Sequence, residues 1–261
     1  VIGEGERDEA PMLYIGEKVG TGNGDEVDIA LDPLEGTTIT SKGMPNSLAV
    51  IAAAKKGCLL HSPDTYMNKI AIGKGYSNDV IDLDASVQHN IKSLADAKKV
   101  KPSDISACVL ERDRHAEIIE SLRATGSRVI LIPDGDVAGV MMTSQEEIDV
   151  DIYFGTGGAP EGVLAAAALQ CIGGQMQTRL VIRNDDEKKR AEKAGIKDLD
   201  KKYYIDDLAS GDIVFVATGV TEGTMVKGVK KYPNSFLTHS IVLRSDFNTT
   251  QYIQTYHPQS I

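Results

Sequence analysis

The sequence has no tryptophan among its 261 residues, and its aromatic content is only 5%. That argues against a stacking platform for nucleic-acid bases. Basic residues are in deficit too. Lys and Arg number 28 against 38 Asp and Glu, a formal net charge of −10. A sequence-independent nucleic-acid binder needs a basic surface, so that class is set aside. A phosphate site is not, because a few local cations or a metal decide it. No apolar run is long enough to span a membrane, and no secretory signal is visible. There are three cysteines, Cys58, Cys108 and Cys171, far apart and set among apolar or small residues. They read as buried free thiols of a protein in a reducing cytoplasm. The histidines, His61, His89, His115, His239 and His257, lack zinc-type spacing and read as structural or exposed. Neither a Gly-x-Ser-x-Gly elbow nor a reactive Cys–His signature is present.

What is present is ordinary globular composition, 41% hydrophobic and 25% charged, in a chain long enough for one large domain or two small lobes. The chain begins at Val1 without Met, and Val1-Ile2-Gly3 reads as the end of a strand. A preceding stretch is therefore expected.

The organising stretch is Asp28-Ile29-Ala30-Leu31-Asp32-Pro33-Leu34-Glu35-Gly36-Thr37-Thr38. It alternates like a half-buried strand and then turns through Pro, an acid and Gly into a helix start. Asp32 and Glu35 lie across that turn, where two carboxylates suit a hard divalent cation such as Mg²⁺. Thr37 and Thr38 offer hydroxyls and backbone N–H groups to a phosphate. A strand end with solvated acids and a helix cap is the competing reading, and this stretch alone leaves both open.

Along the chain, strands are expected at 48–54, at 58–61 as its hairpin partner, at 66–72 and at 80–83, followed by a helix at 86–99. The glycines Gly20, Gly22 and Gly24 precede a strand rather than a helix, so a dinucleotide loop is rejected. A boundary near Pro102 separates an α+β lobe, 1–103, from an α/β lobe, 104–261. In the second lobe strands are expected at 107–110, 128–132, 148–154, 175–183 and 213–217, with helices at 114–124, 137–143, 163–172 and 184–195. Residues 155–162 read as a glycine-rich turn, and 239–245 with 250–255 as a final hairpin. Ligands gather at strand carboxyl ends in such sheets.

Four features at strand ends carry chemistry: Glu4 in a Gly-flanked turn, the Asp32/Glu35 pair, Glu161 after a glycine-rich run, and the Arg112/Arg114 pair. Each has a plain alternative, respectively a solvated loop, solvated acids, a helix-dipole acid and a salt-bridged turn. Asp134-Gly135-Asp136 either accepts sugar hydroxyls or caps a helix. Tyr66 alone reads as a core or strand-surface aromatic. Together, acids for two or more hard cations, a Thr at a helix start and remote Arg residues describe metal-assisted hydrolysis of a phosphate monoester. The cation neutralises phosphoryl oxygens and polarises water, and the Arg pair holds a second anionic group.

The run Asp32-Pro33-Leu34-Glu35-Gly36-Thr37 resembles the Asp-Pro-(Leu/Ile)-(Asp/Glu)-Gly-(Ser/Thr) signature of the lithium-sensitive phosphatases, which include the inositol monophosphatases and fructose-1,6-bisphosphatases. The wider sequence resembles the bacterial class II fructose-1,6-bisphosphatases. The resembling segments include Ile2-Gly3-Glu4-Gly5-Glu6, Pro63-Asp64, Tyr66-Met67, Arg114-His115, Asp134-Gly135-Asp136-Val137 and Gly157-Gly158-Ala159-Pro160-Glu161-Gly162. They run over nearly the whole chain.

The resemblance implies a layered α-β-α-β-α sandwich. It implies Glu4, Asp32, Glu35 and Glu161 as ligands for Mg²⁺ or Mn²⁺, and Thr37 as the residue that orients the attacking water at the 1-phosphate. It also implies substrate contacts from Glu35, Gly36, Thr37, Tyr66, Arg112, Arg114, Asp134, Gly135, Asp136 and Gly158. The implied partner is a sugar bisphosphate in gluconeogenesis, and the implied assembly a homo-oligomer, dimer or tetramer. Sedoheptulose 1,7-bisphosphate, an inositol phosphate, or a silent metal- or sugar-phosphate-binding module are the alternatives. The family carries further N-terminal residues, among them another metal-ligand Asp, that this chain lacks. Thr38 and Ile39 also stand where several relatives carry bulkier or basic residues.

Overall fold

The structure is a computed structural model that describes residues 1–3 and 13–259. Its first elements are β1 (Ile2–Gly3), β2 (Val27–Glu35), α1 (Thr37–Ser41), β3 (Leu48–Lys55), β4 (Tyr66–Ile72) and α2 (Val87–Lys98). Next come β5 (Ser106–Leu110), α3 (Ala116–Ala124), β6 (Arg128–Ile132), α4 (Asp136–Met142), β7 (Ile152–Gly158), α5 (Ala159–Ile172) and β8 (Gln175–Val181). The chain closes with α6 (Asp185–Lys193), β9 (Tyr203–Tyr204), α7 (Ile205–Leu208), β10 (Ile213–Gly219), β11 (Lys230–Tyr232), β12 (Ser235–Arg244) and β13 (Thr249–Pro258).

Two sheets form. The first runs β1-β2-β3-β10-β12-β11, with β13 paired to β12, and the second runs β6-β5-β7-β4-β8-β9. Each sheet takes strands from both sides of residue 103, which lies in the link between α2 and β5. In the second sheet β5, β6 and β7 are parallel, while β4 runs antiparallel between β7 and β8.

Between the sheets lies α5, in contact with β2, β3 and β10 on one side and β4, β7 and β8 on the other. Its sequence, Val163-Leu164-Ala165-Ala166-Ala167-Ala168-Leu169, has no polar face and is buried all round. A helix apolar on every side belongs in a protein interior, and its alanines let two sheets approach closely. On the far side of the second sheet, α2 and α3 pack Ile91, Leu94 and Leu122 against Ile70, Ile72, Val109 and Phe154. Ser86 accepts a hydrogen bond from the His89 N–H and starts α2.

The described residues thus build α-β-α-β layers, an α/β sandwich. On the outer face of the first sheet Ile51 is 41% and Val214 is 37% exposed.

Three expectations are corrected. Residues 58–61 are not the hairpin partner of β3, whose neighbours are β2 and β10; they make only an isolated bridge, Leu59 to Ala209. Residues 80–83 are irregular rather than a strand, with Val80 and Ile81 serving the outer core instead of a ladder. The strand placed at 148–154 begins at Ile152 and continues to Gly158, so most of the supposed glycine-rich turn is strand. The glycines pair with Tyr66 to Lys69 in β4, and their lack of side chains is used for close approach within the sheet.

Leu94 is fully buried between α2 and the second sheet. Leu94→Ala should lower the free energy of unfolding by about 3 kcal/mol, read from urea denaturation. A loss below about 1 kcal/mol would mean this layer is not a packed core.

Candidate active site

Asp32 and Glu35 are three residues apart, and in a regular strand they would face opposite sides. The ladder between β2 and β3 prevents this. Asp32 pairs with Val50 and Glu35 with Leu48, so one extra residue is accommodated between them. This bulge turns both carboxylates to the inner face. Ser47 donates from Oγ to the Glu35 carbonyl at 2.9 Å and holds the bulge. Gly36 then takes a left-handed φ of 86°, and a Cβ there would lie 3.0 Å from Ile39 Cδ1. Thr37 follows as the first residue of α1, exposed to solvent.

Six further elements deliver their ends to the same place. The resulting cleft of about 320 Å³ is lined by Asp32, Glu35, Gly36, Thr37, Tyr66, Arg112, Arg114, Asp134, Gly135, Asp136, Gly158 and Glu161. Every expected site residue is therefore brought together except Glu4, which lies outside the described residues. The cleft sits at the carboxyl ends of β2, β5, β6 and β7, and the N-termini of α1, α4 and α5 open into it. Positive helix ends favour the carboxylates gathered there.

The acids are held tightly. Asp32 Oδ1 accepts from the Leu34 N–H at 2.8 Å, and Glu35 Oε1 accepts from the Val137 N–H at 2.8 Å. Glu35 thus satisfies the first turn of α4 from 102 residues away. Asp134 Oδ2 accepts from the Thr38 N–H at 3.2 Å. The Thr38 amide, expected to be open to a phosphate, is occupied by that carboxylate. Asp136 is buried and does not cap α4; its Oδ2 accepts from Lys69 Nζ.

Asp32 and Glu35 are 3% and 4% exposed, and Glu161 Oε2 is sealed from solvent with no hydrogen-bond partner. Burial raises the pKa of Asp32 and lifts that of Glu35 well above the carboxylate range, with the Asp136 charge adding to the Glu35 shift. Burial, then the Asp136 charge, pushes Glu161 up to about 7. A cluster of buried carboxylates with one orphaned oxygen has the donor chemistry of a hard divalent cation. Among the described residues no three such side chains already close to coordination geometry.

The glycines decide how near the acids come. A Cβ on Gly158 would lie 1.9 Å from Glu161 Oε2, and one on Gly157 would lie 2.2 Å from Asp136 Oδ2. No side chain fits at either position without moving a carboxylate.

At the other end of the cleft, Arg112 donates from Nη1 to the Pro133 carbonyl and from Nη2 to Asp134 Oδ1 at 3.2 Å. Arg114 donates from Nε and Nη2 to the Thr156 carbonyl at 2.9 and 2.7 Å and lies over the Tyr66 ring, 5.0 Å from its centroid. The salt-bridged turn read from sequence and the cleft lining are thus both present at once.

Three residues not recognised in the sequence support these groups. Lys69 is 2% exposed and donates to Asp136 and to the Gly158 carbonyl at 2.7 Å. Its signal was there, a lysine inside the otherwise apolar strand Met67-Asn68-Lys69-Ile70-Ala71-Ile72. His115 accepts at Nε2 from the Thr156 N–H at 2.8 Å, so it is neutral and donates from Nδ1 to the Leu110 carbonyl at 2.8 Å. It braces the turn that carries both arginines. Arg183, held by the buried Glu187, lies over Tyr66 at 4.2 Å and fixes that ring. No local pattern marks it, because its partner Tyr66 is remote in sequence.

The chain resembles known proteins along nearly its whole length. A family model described as "Bacterial fructose-1,6-bisphosphatase, glpX-encoded" matches residues 1–257. The chain is 41% identical over 271 aligned positions to fructose-1,6-bisphosphatase 1 class 2 of Escherichia coli, covering 98% of this chain and 80% of that protein. It has the same identity and coverage with the fructose-1,6-bisphosphatase class 2 of Shigella flexneri.

Removing Lys69 leaves a buried carboxylate cluster with no buried Lys or Arg among the described residues. Lys69→Met should cost about 3 kcal/mol of stability without added metal, and Asp136→Asn in the same chain should restore part of it. Unfolding titrations of the single and double variants measure both; strictly additive losses would show that the pair does not couple.

Proposed function

The chain belongs to the bacterial class II fructose-1,6-bisphosphatases, a family of metal-dependent phosphatases, and from that membership we propose that it hydrolyses the 1-phosphate of fructose 1,6-bisphosphate to give fructose 6-phosphate and phosphate. The observation that carries the proposal is the meeting, in one cleft, of a buried carboxylate cluster, the Thr37 hydroxyl and two arginines. The sedoheptulose, inositol-phosphate and silent-module readings have no comparable support, since both the family and the similar proteins are fructose-1,6-bisphosphatases.

Asp32, Glu35 and Glu161 would hold Mg²⁺ or Mn²⁺, with Glu4 as a further ligand from outside the described residues. When bound, such an ion neutralises phosphoryl oxygen charge and makes water a better nucleophile. The chain's own groups do the rest. Thr37, at the mouth of the carboxylate cluster, orients the attacking water through its hydroxyl. Gly36 and Gly158 line the cleft with backbone beside the reacting phosphoryl group. Arg112 and Arg114 present planar donor forks to the distal phosphate, and their bonds to Pro133, Asp134 and Thr156 fix those forks before substrate arrives. Tyr66 walls the sugar, and Asp134, Gly135 and Asp136 face its hydroxyls. Holding both phosphates converts binding energy into alignment of the reacting one. A homo-oligomeric enzyme acting in gluconeogenesis is the setting we propose.

Phosphate release from fructose 1,6-bisphosphate with Mn²⁺ or Mg²⁺ is the direct test. Thr37→Ala should lower kcat by roughly 100-fold with KM little changed, and Arg114→Ala should chiefly raise KM. A Thr37→Ala enzyme with normal kcat would remove Thr37 from the chemistry.

The pH behaviour follows from Glu161. Its ordinary pKa of 4.5 rises to about 7 in the metal-free fold. Between those values the folded state keeps a proton that the unfolded chain has lost, so this group's contribution to stability falls as pH rises through the window. A cation must displace that proton. The gain in Tm on adding Mn²⁺ should therefore be larger at pH 8 than at pH 6, and Glu161→Gln should flatten the difference. Equal gains for the unmutated protein at both pH values would contradict the ligand role.

A further inference from the structure

Thr37 stands on α1, a helix of only five residues. A single turn does not hold itself in water, so what packs around α1 decides where Thr37 sits. Asp134 takes the Thr38 N–H at its start, and Ile39 is buried beneath it. Its far end runs through 42–45 into Asn46 and Ser47, the two residues ahead of β3.

Asn46 has a left-handed φ of 77°. Asn enters that region more readily than most residues with a side chain, and Gly more readily still. Asn46 also supplies what Gly lacks, an acceptor. Its Oδ1 accepts from the Thr224 N–H at 2.8 Å and from Thr224 Oγ1 at 3.3 Å, and its own N–H donates to the Glu222 carbonyl at 2.9 Å. Ser47 continues the contact. Its N–H donates to Thr221 Oγ1 at 3.0 Å, and its carbonyl accepts from the Val220 N–H at 2.9 Å. The loop 220–229, which follows β10, therefore closes on this dipeptide through backbone and side chain alike. The approach is tight: a Cβ on Gly223 would lie 3.1 Å from Asn46 Oδ1 and 2.9 Å from the Val226 carbonyl oxygen.

The other side of the dipeptide faces the site. Ser47 Oγ donates to the Glu35 carbonyl at 2.9 Å and lies 2.6 Å from Thr40 Oγ1. With the Ser47 proton committed to Glu35, Thr40 donates to Ser47 rather than to the more distant Gly36 carbonyl at 3.3 Å. One path of hydrogen bonds runs from the loop through Asn46 and Ser47 to Thr40 in α1 and to Glu35 in the bulge. Thr40 is one turn from Thr37.

We propose that Asn46 is a positioning residue for the phosphoryl chemistry, clasping the loop 220–229 to α1 and the bulge so that Thr37 and Glu35 keep their places relative to each other. The inference rests on the fructose 1,6-bisphosphate reading of the site. Neither Asn46 nor any residue of 220–229 lines the cleft, so the clasp acts only through the groups it fixes. A shift of about 1 Å in a reacting group costs up to about 100-fold in rate, so a contact of modest strength is felt in turnover.

Three variants with two readouts test the clasp. Asn46→Gly keeps the left-handed backbone and removes the acceptor, whereas Asn46→Asp keeps both. Asn46→Gly should lower kcat by about 10-fold with KM within about twofold of the unmutated enzyme, and Asn46→Asp should restore most of the loss. Thr221→Val takes the acceptor from the Ser47 N–H on the loop side and should lower kcat in the same way. Hydrogen exchange followed by mass spectrometry needs no substrate. The amides of 37–44 should exchange faster in Asn46→Gly and Thr221→Val and regain protection in Asn46→Asp. Normal turnover with unchanged exchange in Asn46→Gly and Thr221→Val would overturn the inference and leave the reaction standing. A kcat loss that Asn46→Asp does not recover would overturn it as well. An unmutated protein that releases no phosphate from fructose 1,6-bisphosphate would overturn the reaction itself, and this inference with it.

Discussion

Asp32, Glu35, Asp136 and Glu161 converge where the two sheets meet, and among the described residues the buried cation set against them is Lys69. Charges of one sign do not share a low-dielectric site without compensation. The fold compensates by protonation, lifting Glu161 to about 7 and Glu35 well above its ordinary value. Much of the local architecture answers this constraint. The Val137 and Leu34 amides donate to Glu35 and Asp32, three helix N-termini face the cleft, and Lys69 of β4 donates to Asp136 at the start of α4. Gly162 is part of the same arrangement, since a Cβ there would lie 3.2 Å from Lys69 Cε and 2.7 Å from Met67 Sδ.

The opposite sign is kept at the other end of the cleft. Arg112 and Arg114 are fixed on carbonyls and on Asp134, and His115 locks the turn that carries them by bonding Leu110 and Thr156. Arg114 and His115 grip the carbonyl and the amide of the same residue, Thr156, which lies two residues before Gly158. A displacement of the arginine turn would therefore pull on the strand end that positions Glu161. Anionic and cationic ends of the cleft are tied through β7, which suits a substrate with a phosphate at each end.

The outer regions obey a simpler logic. The α2–α3 layer packs chiefly by apolar contact, with Lys98 of α2 paired to Asp151, and the hairpin of β12 and β13 extends the first sheet to an uncharged edge. Neither contributes a side chain to the cleft.

Local pattern alone determined a good deal. Alternation placed β2, and the helical spacing of apolar residues placed α2, because these signals depend only on neighbours in sequence. The Asp-Pro-Leu-Glu-Gly-Thr run marked the centre of the site for the same reason. Tertiary structure alone decided the rest. The bulge that turns Asp32 and Glu35 to one face exists because β3 supplies a fixed register. The partners of β3 are β2 and β10 rather than residues 58–61, since strands separated by more than 150 residues offered a better ladder than the adjacent segment. Glu35 meets Val137, Lys69 meets Asp136 and Arg183 meets Tyr66 across 102, 67 and 117 residues. No spacing in the sequence encodes such contacts; they arise when α5 draws the two sheets together and buries what lies between them.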